Sequence, residues 1–324
     1  MTRTLFALLL FLAGRASAAE PPIATSAPVT SPPIAAPAST PSAVLFDGSA
    51  DGASRGQFES DRAFPNFIGP ISNPVLAKDP RALTEARVLF VSDWIPRDNP
   101  LGGGDFQAYG LQLRVALTDR LSFIADKDGV ASFHTGAASN QTGFLNLAAG
   151  LKYAFIRDVE DQFLVTGGFM FEPQTGESRV FQGQGNGLFT VFGTVGKEFG
   201  DCYHFVGNAG YQFPVDHTQN SSFFYTSVHL DKQVCGWLYP LIEVNWFHWT
   251  ESGDRGLPPA LGEGDGLINL GTSGVAGNDL VTFAVGVKAI LSKNMDVGVA
   301  YETPISNRKD LIDNRILAEL IIRY

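Results

Sequence analysis

The chain closes on NRILAELIIRY, residues 314–324. Counted back from the end, Tyr324, Ile322, Leu320, Ala318 and Ile316 make one face, and it is wholly apolar. Arg323, Ile321, Glu319, Leu317 and Arg315 make the other, which is mixed and charged. Period two marks a strand whose two faces meet different surroundings. A chain end usually frays. An amphipathic strand that stops on an aromatic residue needs a neighbour along its free edge.

The same alternation runs back to about residue 85. It predicts twelve strands, at 86–95, 106–117, 121–127, 143–155, 163–172, 188–199, 204–213, 222–232, 237–249, 279–291, 295–303 and 314–324. In the second, Tyr109, Leu111, Leu113, Val115 and Leu117 share a face, against Gln112 and Arg114. The connections alternate in length. LTDR, IRDVEDQ, GDCY, KQVCG and LSKN are short. The intervening ones are long, from IPRDNPLGGGD to TESGDRGLPPALGEGDGLINLGTSGVAGN. In an up-and-down barrel every second turn falls at the same end. The short turns therefore gather with both chain ends at one mouth, and the long loops at the other.

The sequence before residue 85 has a different character. MTRTLFALLLFLAGRASAAE carries Arg3, an apolar run and Ala16-Ser17-Ala18, so residues 1–18 are expected to be a secretory signal peptide. The apolar run is too short to cross a bilayer as a helix. Residues 19–57, rich in Pro and Ala, are expected to form an extended, disordered linker. Residues 58–84 set Phe58, Phe64, Phe67 and Ile68 among Pro65, Pro70, Pro74 and Pro80. Proline blocks a ladder, so this stretch is expected to pack at or near a barrel mouth. The formal charge of −10 argues against a nucleic-acid partner, which needs basic surface.

The signal peptide, the even number of amphipathic strands, the alternating loop lengths and the terminal aromatic together resemble the Gram-negative outer-membrane β-barrel proteins, over residues 85–324. The resemblance implies an all-β fold, a closed up-and-down antiparallel transmembrane β-barrel of about twelve strands. It implies an outer-membrane location, both termini periplasmic, and residues 58–84 as a periplasmic segment. It also implies membrane lipid as the surroundings. A barrel-assembly machinery would read Ile316, Ala318, Leu320, Ile322 and Tyr324. A soluble sandwich or lipocalin-like barrel shares the alternation. Against it stand strands longer than the usual five or six or so residues, and aromatics near strand ends, as in interfacial girdles. Trp94, Phe171, Phe213, Trp246 and Trp249 fall at the outer end, and Phe155, Phe163, Phe199, Trp237 and Tyr324 at the inner.

Chemistry-bearing motifs are sparse. The five histidines show no ligand spacing with Cys or carboxylates, so no metal is expected. No G-x-S-x-G or other nucleophile elbow is present, and the Gly-rich tips lack a strand–loop–helix setting. No cofactor and no enzymatic activity is expected. The acidic residues Asp254, Glu263 and Asp265 are expected to be a solvated loop. Cys202 and Cys235 flank two strands joined by PVDHTQNSS. If that hairpin is symmetric about residues 218–219 they face each other, which predicts a disulfide in an oxidising compartment.

The polar parity of each strand points into the lumen. It places Arg87, Arg114, Lys152, Lys288 and Arg323 towards one wall, and Glu198, Asp231 and Glu243 opposite. Opposed basic and acidic walls set a transverse field, which orients solutes in a pore. The expected function is a porin-like channel or transporter for small solutes. An ion-pair network filling a structural or surface-interaction barrel accounts for the same residues. A membrane-embedded hydrolase would need a serine beside the outward-facing His248, and none can be placed there.

Overall fold

The computed structural model describes residues 56–137, 139–200 and 202–324. The expected signal peptide and nearly all of the Pro/Ala-rich linker lie outside these residues. The strands are β1 (Glu85–Ile95), β2 (Gly104–Ala116), β3 (Leu121–Lys127), β4 (Gly129–Thr135), β5 (Gln141–Phe144), β6 (Ala148–Asp158) and β7 (Phe163–Glu172). Then follow β8 (Leu188–Phe199), β9 (Tyr203–Pro214), β10 (Ser222–Lys232), β11 (Leu238–Glu251), β12 (Asp279–Ser292), β13 (Met295–Pro304) and β14 (Asn314–Arg323). Neighbours in sequence pair antiparallel from β6 round to β14, and β14 pairs with β1 from Glu85↔Arg323 to Trp94↔Asn314. β1 also pairs with β2, so the sheet closes on itself.

Fourteen strands make twelve crossings. β3 and β4 both pair with β2, one beyond the other, and form the third crossing. They break at Asp128, whose carbonyl accepts from Leu111 N at 2.8 Å. Gly129 follows at φ 153°, and a Cβ there would stand 2.0 Å from the Tyr109 carbonyl oxygen, so only glycine fits the break. The fourth crossing is split likewise into β5 and β6. The stretch DGVASFHTGAASNQTG, expected from sequence to be one long loop, is therefore largely strand. Its alternation is interrupted by the break, which hides it from a period-two reading.

The strands form because their alternating residues meet opposite environments. On β2, Tyr109, Leu111 and Leu113 are exposed while Gln112 and Arg114 are buried. Val88, Phe169, Val191, Ile242, Val285, Val299 and Ile322 extend this apolar outer surface around the ring. So much exposed apolar area suits lipid, not water. Trp94, Phe155, Phe199, Trp237 and Tyr324 are exposed near strand ends. Trp249 is not: it is fully buried in the lumen. Trp246 and Trp249 are three apart on one strand, so they point to opposite faces.

The lumen is filled by two inserts of irregular chain. Residues 59–84 enter at the mouth of the short turns, rise inside the barrel, and return to start β1. The long connection 252–278 folds in from the opposite mouth. This corrects two expectations. Residues 59–84 run into the lumen instead of stopping at the mouth, and of the acidic loop Glu263 and Asp265 are buried while Asp254 is exposed. The inserts meet inside, where a Cβ on Gly266 would lie 2.7 Å from Leu76 Cδ1. Ile68, Ile71, Val75 and Leu76 from the first and Leu261, Leu267, Ile268 and Leu270 from the second join one apolar cluster with Phe106, Tyr225, Phe247 and Trp249 of the wall. The apolar cluster lies towards the loop mouth, and buried ion pairs line the lumen at both ends.

Candidate functional site: the occupied lumen

A proline-rich segment cannot satisfy its own backbone by a ladder, yet buried N–H and C=O groups need partners. Here side chains of the wall supply them. Glu243 Oε1 and Oε2 accept from Ile71 N at 2.8 Å and Ser72 N at 2.6 Å. Arg87 Nη2 donates to Pro70 O at 3.0 Å, and Lys288 Nζ to Gly69 O at 2.9 Å. Gln112 Nε2 donates to Pro74 O at 2.8 Å, Thr166 Oγ1 to Pro80 O at 2.7 Å, and Lys152 Nζ to Arg81 O at 2.7 Å. Lys78 N donates to Asn208 Oδ1 at 2.8 Å, and Asn73 Nδ2 to Ser227 Oγ at 2.9 Å. Lumen side chains here serve as a distributed backbone partner.

Charges pair locally. Glu319 takes both Arg87 and Lys288, the latter at 2.5 Å. Glu85 takes Arg114 at 2.6 Å and Arg323 at 2.9 Å, and Arg323 also reaches Asp296. Across the lumen, Asp231 contacts His204 Nδ1 at 2.7 Å and His229 Nε2 at 2.9 Å, and His229 Nδ1 lies 2.7 Å from Glu243. Glu198 lies at the edge of this group, 3.7 Å from His204 Nε2. The basic wall therefore holds both signs, and the acidic wall sets two histidines against its carboxylates. Towards the loop mouth, Arg315 meets Asp93 at 2.9 Å, Glu302 at 3.5 Å and Asp265 of the second insert. Lys127 meets Glu172 at 2.6 Å.

Sequence parity finds the residues whose charge is conspicuous, and Glu319 among their partners, but misses others. Glu85, Asp296, His204 and His229 also carry inward parity, and that signal could have identified them. Asp79, Lys78 and Arg81 carry no periodic signal, because they lie on the irregular insert.

The inserts hold titratable groups in unusual states. Burial pushes the Asp79 carboxyl up, but the charge and hydrogen bonds of Arg81, with Lys152 nearby, outweigh it and hold Asp79 well below the usual carboxylate range. Burial pulls the Lys78 ammonium down, against its pairing with Asp126 at 2.6 Å. Burial lifts the Glu263 carboxyl to about 7 despite donors from Ser221 Oγ at 2.6 Å, Thr272 N at 2.7 Å and Leu270 N at 2.8 Å.

Cys202 and Cys235 are free thiols in this structure. The expected disulfide is not formed, and the register gives the reason. Tyr203 pairs with Lys232, and Gln233 N donates to Cys202 O at 2.8 Å. Cys202 thus faces Gln233, and Cys235 lies two residues further on, in the next turn. Among the described residues no group of three or more His, Cys, Asp or Glu is placed to hold a metal ion, and no helix is long and apolar enough to cross a membrane.

Neither a protein-family model nor a curated protein matches this chain. Among solved structures, it is similar to an outer membrane channel from Pseudomonas putida F1, with a TM-score of 0.57 and 11% identity over 80% of this chain and 100% of that one. The translocator domain of the autotransporter NalP from Neisseria meningitidis aligns at a TM-score of 0.47 and 9% identity, over 78% and 92%. A KdgM porin in complex with disordered oligogalacturonate aligns at 0.43 and 11%, over 74% and 99%. The first of these likenesses is one of fold: the chain shares the closed β-barrel of an outer-membrane channel.

Proposed function

We propose that the protein is an outer-membrane channel of porin type for small solutes, at rest with its lumen closed by two inserts. One observation carries this reading. The ring is held by continuous ladders, whereas the first insert has no ladder and is seated by separate side-chain hydrogen bonds, ion pairs such as Lys78–Asp126, and apolar contacts. Bonds to charged wall groups are worth about 1.5–3 kcal/mol each and those to neutral ones about 0.5–1.5 kcal/mol, and none is tied to the next as the bonds of a ladder are. The insert can therefore leave its seat while the barrel stays intact. A twelve-crossing barrel is wider than the eight-stranded kind that side chains alone can fill. In this reading the protein is exported by its signal peptide and inserted by an assembly machinery that reads the last strand. Both termini then face the periplasm.

A structural or surface-interaction barrel is favoured by the tight packing of the lumen. The cavity beside Val75, Gln112 and Leu267 holds about 20 Å³, and that beside Asp93, Phe106 and Arg315 about 10 Å³. Each has room for about one water molecule. Purified protein refolded into a planar bilayer separates the two. A channel gives discrete current steps between long closed intervals. A heat-modifiable barrel that never conducts, at any applied voltage, leaves the channel reading without support.

A further inference from the structure

The peptide unit joining Pro70 and Ile71 sits in a charged clamp. Its carbonyl oxygen accepts from Arg87 Nη2 at 3.0 Å, and its N–H donates to Glu243 Oε1 at 2.8 Å. The neighbouring groups repeat the arrangement. Lys288 Nζ takes Gly69 O at 2.9 Å and Glu243 Oε2 takes Ser72 N at 2.6 Å. Cations thus face the oxygen side of this stretch and a carboxylate faces the nitrogen side. The O and N of one peptide unit lie about 2.2 Å apart, so the guanidinium and carboxylate are no more than about 8 Å apart. All four wall side chains, counting the bridging Glu319, are almost wholly buried.

A neutral peptide unit is a poor match for such strong partners. Arg87 Nε has no hydrogen-bond acceptor among the described residues. Arg87 Nη2 is shared between Pro70 O and the Glu319 carboxylate, whereas a guanidinium prefers two parallel bonds to one carboxylate. The Ile71 side chain fills the space next to the clamp. It lies against Gly298, where a Cβ would come within 2.8 Å of Ile71 Cδ1 and equally near Glu319 Oε1.

We infer that this clamp is a binding site for a zwitterionic solute of amino-acid or short-peptide size with an aliphatic side chain, and that residues 69–72 occupy it as an internal stand-in. The solute carboxylate takes the place of the Pro70 and Gly69 carbonyls at Arg87 and Lys288. Its ammonium takes the place of the Ile71 and Ser72 N–H groups at Glu243. Its side chain takes the space of Ile71 beside Gly298. Solute and insert compete for one seat, so arrival of the solute releases the insert. The inference names the solute class for the channel proposed above, but its test does not require current to flow.

The test is amide hydrogen exchange at Ile71 and Ser72 in the full-length, detergent-folded protein, titrated with leucine. Two matched controls carry the same aliphatic group and one charge each: 3-methylbutylamine and 4-methylpentanoate. Leucine should raise exchange saturably, by about tenfold or more, and each control should leave it near its starting value. The Glu243→Gln variant should start with faster exchange and lose the leucine response. Arg87→Gln should lose the leucine response too, which guards against misreading a variant that merely folds poorly. Exchange that ignores leucine, or that responds equally to all three compounds, overturns the site. A leucine response in a barrel that never conducts would instead keep the site and remove the channel.

Discussion

Glu263 shows how much one buried carboxylate decides. It sits in the second insert with its charge nearly stripped of water, and burial lifts it to about 7. The docked state therefore holds a proton that the undocked state, near the ordinary glutamate value of 4.5, has released. More protons bound in the docked form means that docking is strongest below about pH 4.5 and weakens as pH rises through about 7. The effect amounts to no more than about 3 kcal/mol. Exchange protection of residues 263–272, followed across this window, should fall with rising pH. In Glu263→Gln, which cannot ionise, the profile should be flat. A wild-type profile as flat as that of the variant would show that Glu263 does not titrate with docking. Asp79 in the first insert works in the opposite sense. Its carboxyl is held low, so its contribution persists at neutral pH and is lost only in acid below the usual carboxylate range.

At the scale of elements, closure rests on β14. It pairs with β13 on one side and β1 on the other, and Tyr324 N donates to Thr84 O at 3.0 Å. Deleting Tyr324 should lower the yield of heat-modifiable barrel by several-fold while export of the chain continues. Normal yield would mean that the last residue plays no part in assembly. The elements were legible because lipid outside and polar groups inside impose period two over ten or more residues. Register and breaks were less so. The split at Asp128 and Gly129 depends on one backbone conformation, and the position of Cys235 turns on a one-residue shift of hairpin centre that no alternation encodes. Trp249 was placed with Trp246 in an interfacial girdle by its position near the strand end, although a spacing of three forbids both sharing a face.

At the scale of the molecule, sequence parity identified the wall's charged residues, but not what they hold. Arg87, Lys288 and Glu243 have inward parity whether the lumen contains water, solute or chain. The occupant lies in two segments without periodicity, so their position emerges only from tertiary contacts. If the first insert must move for current to flow, pinning it should close the channel. Asn73 Nδ2 lies 2.9 Å from Ser227 Oγ, which suits a cross-link. In a background with Cys202→Ser and Cys235→Ser, the pair Asn73→Cys and Ser227→Cys should abolish current steps when oxidised and restore them on reduction. Undiminished current in the oxidised form would mean that solutes pass without displacing the insert.

The path of the first insert also bears on how the chain folds. Ser60 Oγ donates to the Tyr324 carbonyl at 2.9 Å, across 264 positions of sequence. Other partners lie on β2, β6, β7, β9, β10, β11 and β12, so the seat is complete only when the last strand has arrived. Contacts of such long range are slow to form, because loop-closure entropy must be overcome before they reward the chain. Seating of the insert is therefore completed late, as the ring seals. The insert acts as a mandrel: it gathers strands distant in sequence around one axis and fixes the circumference at which the sheet meets itself.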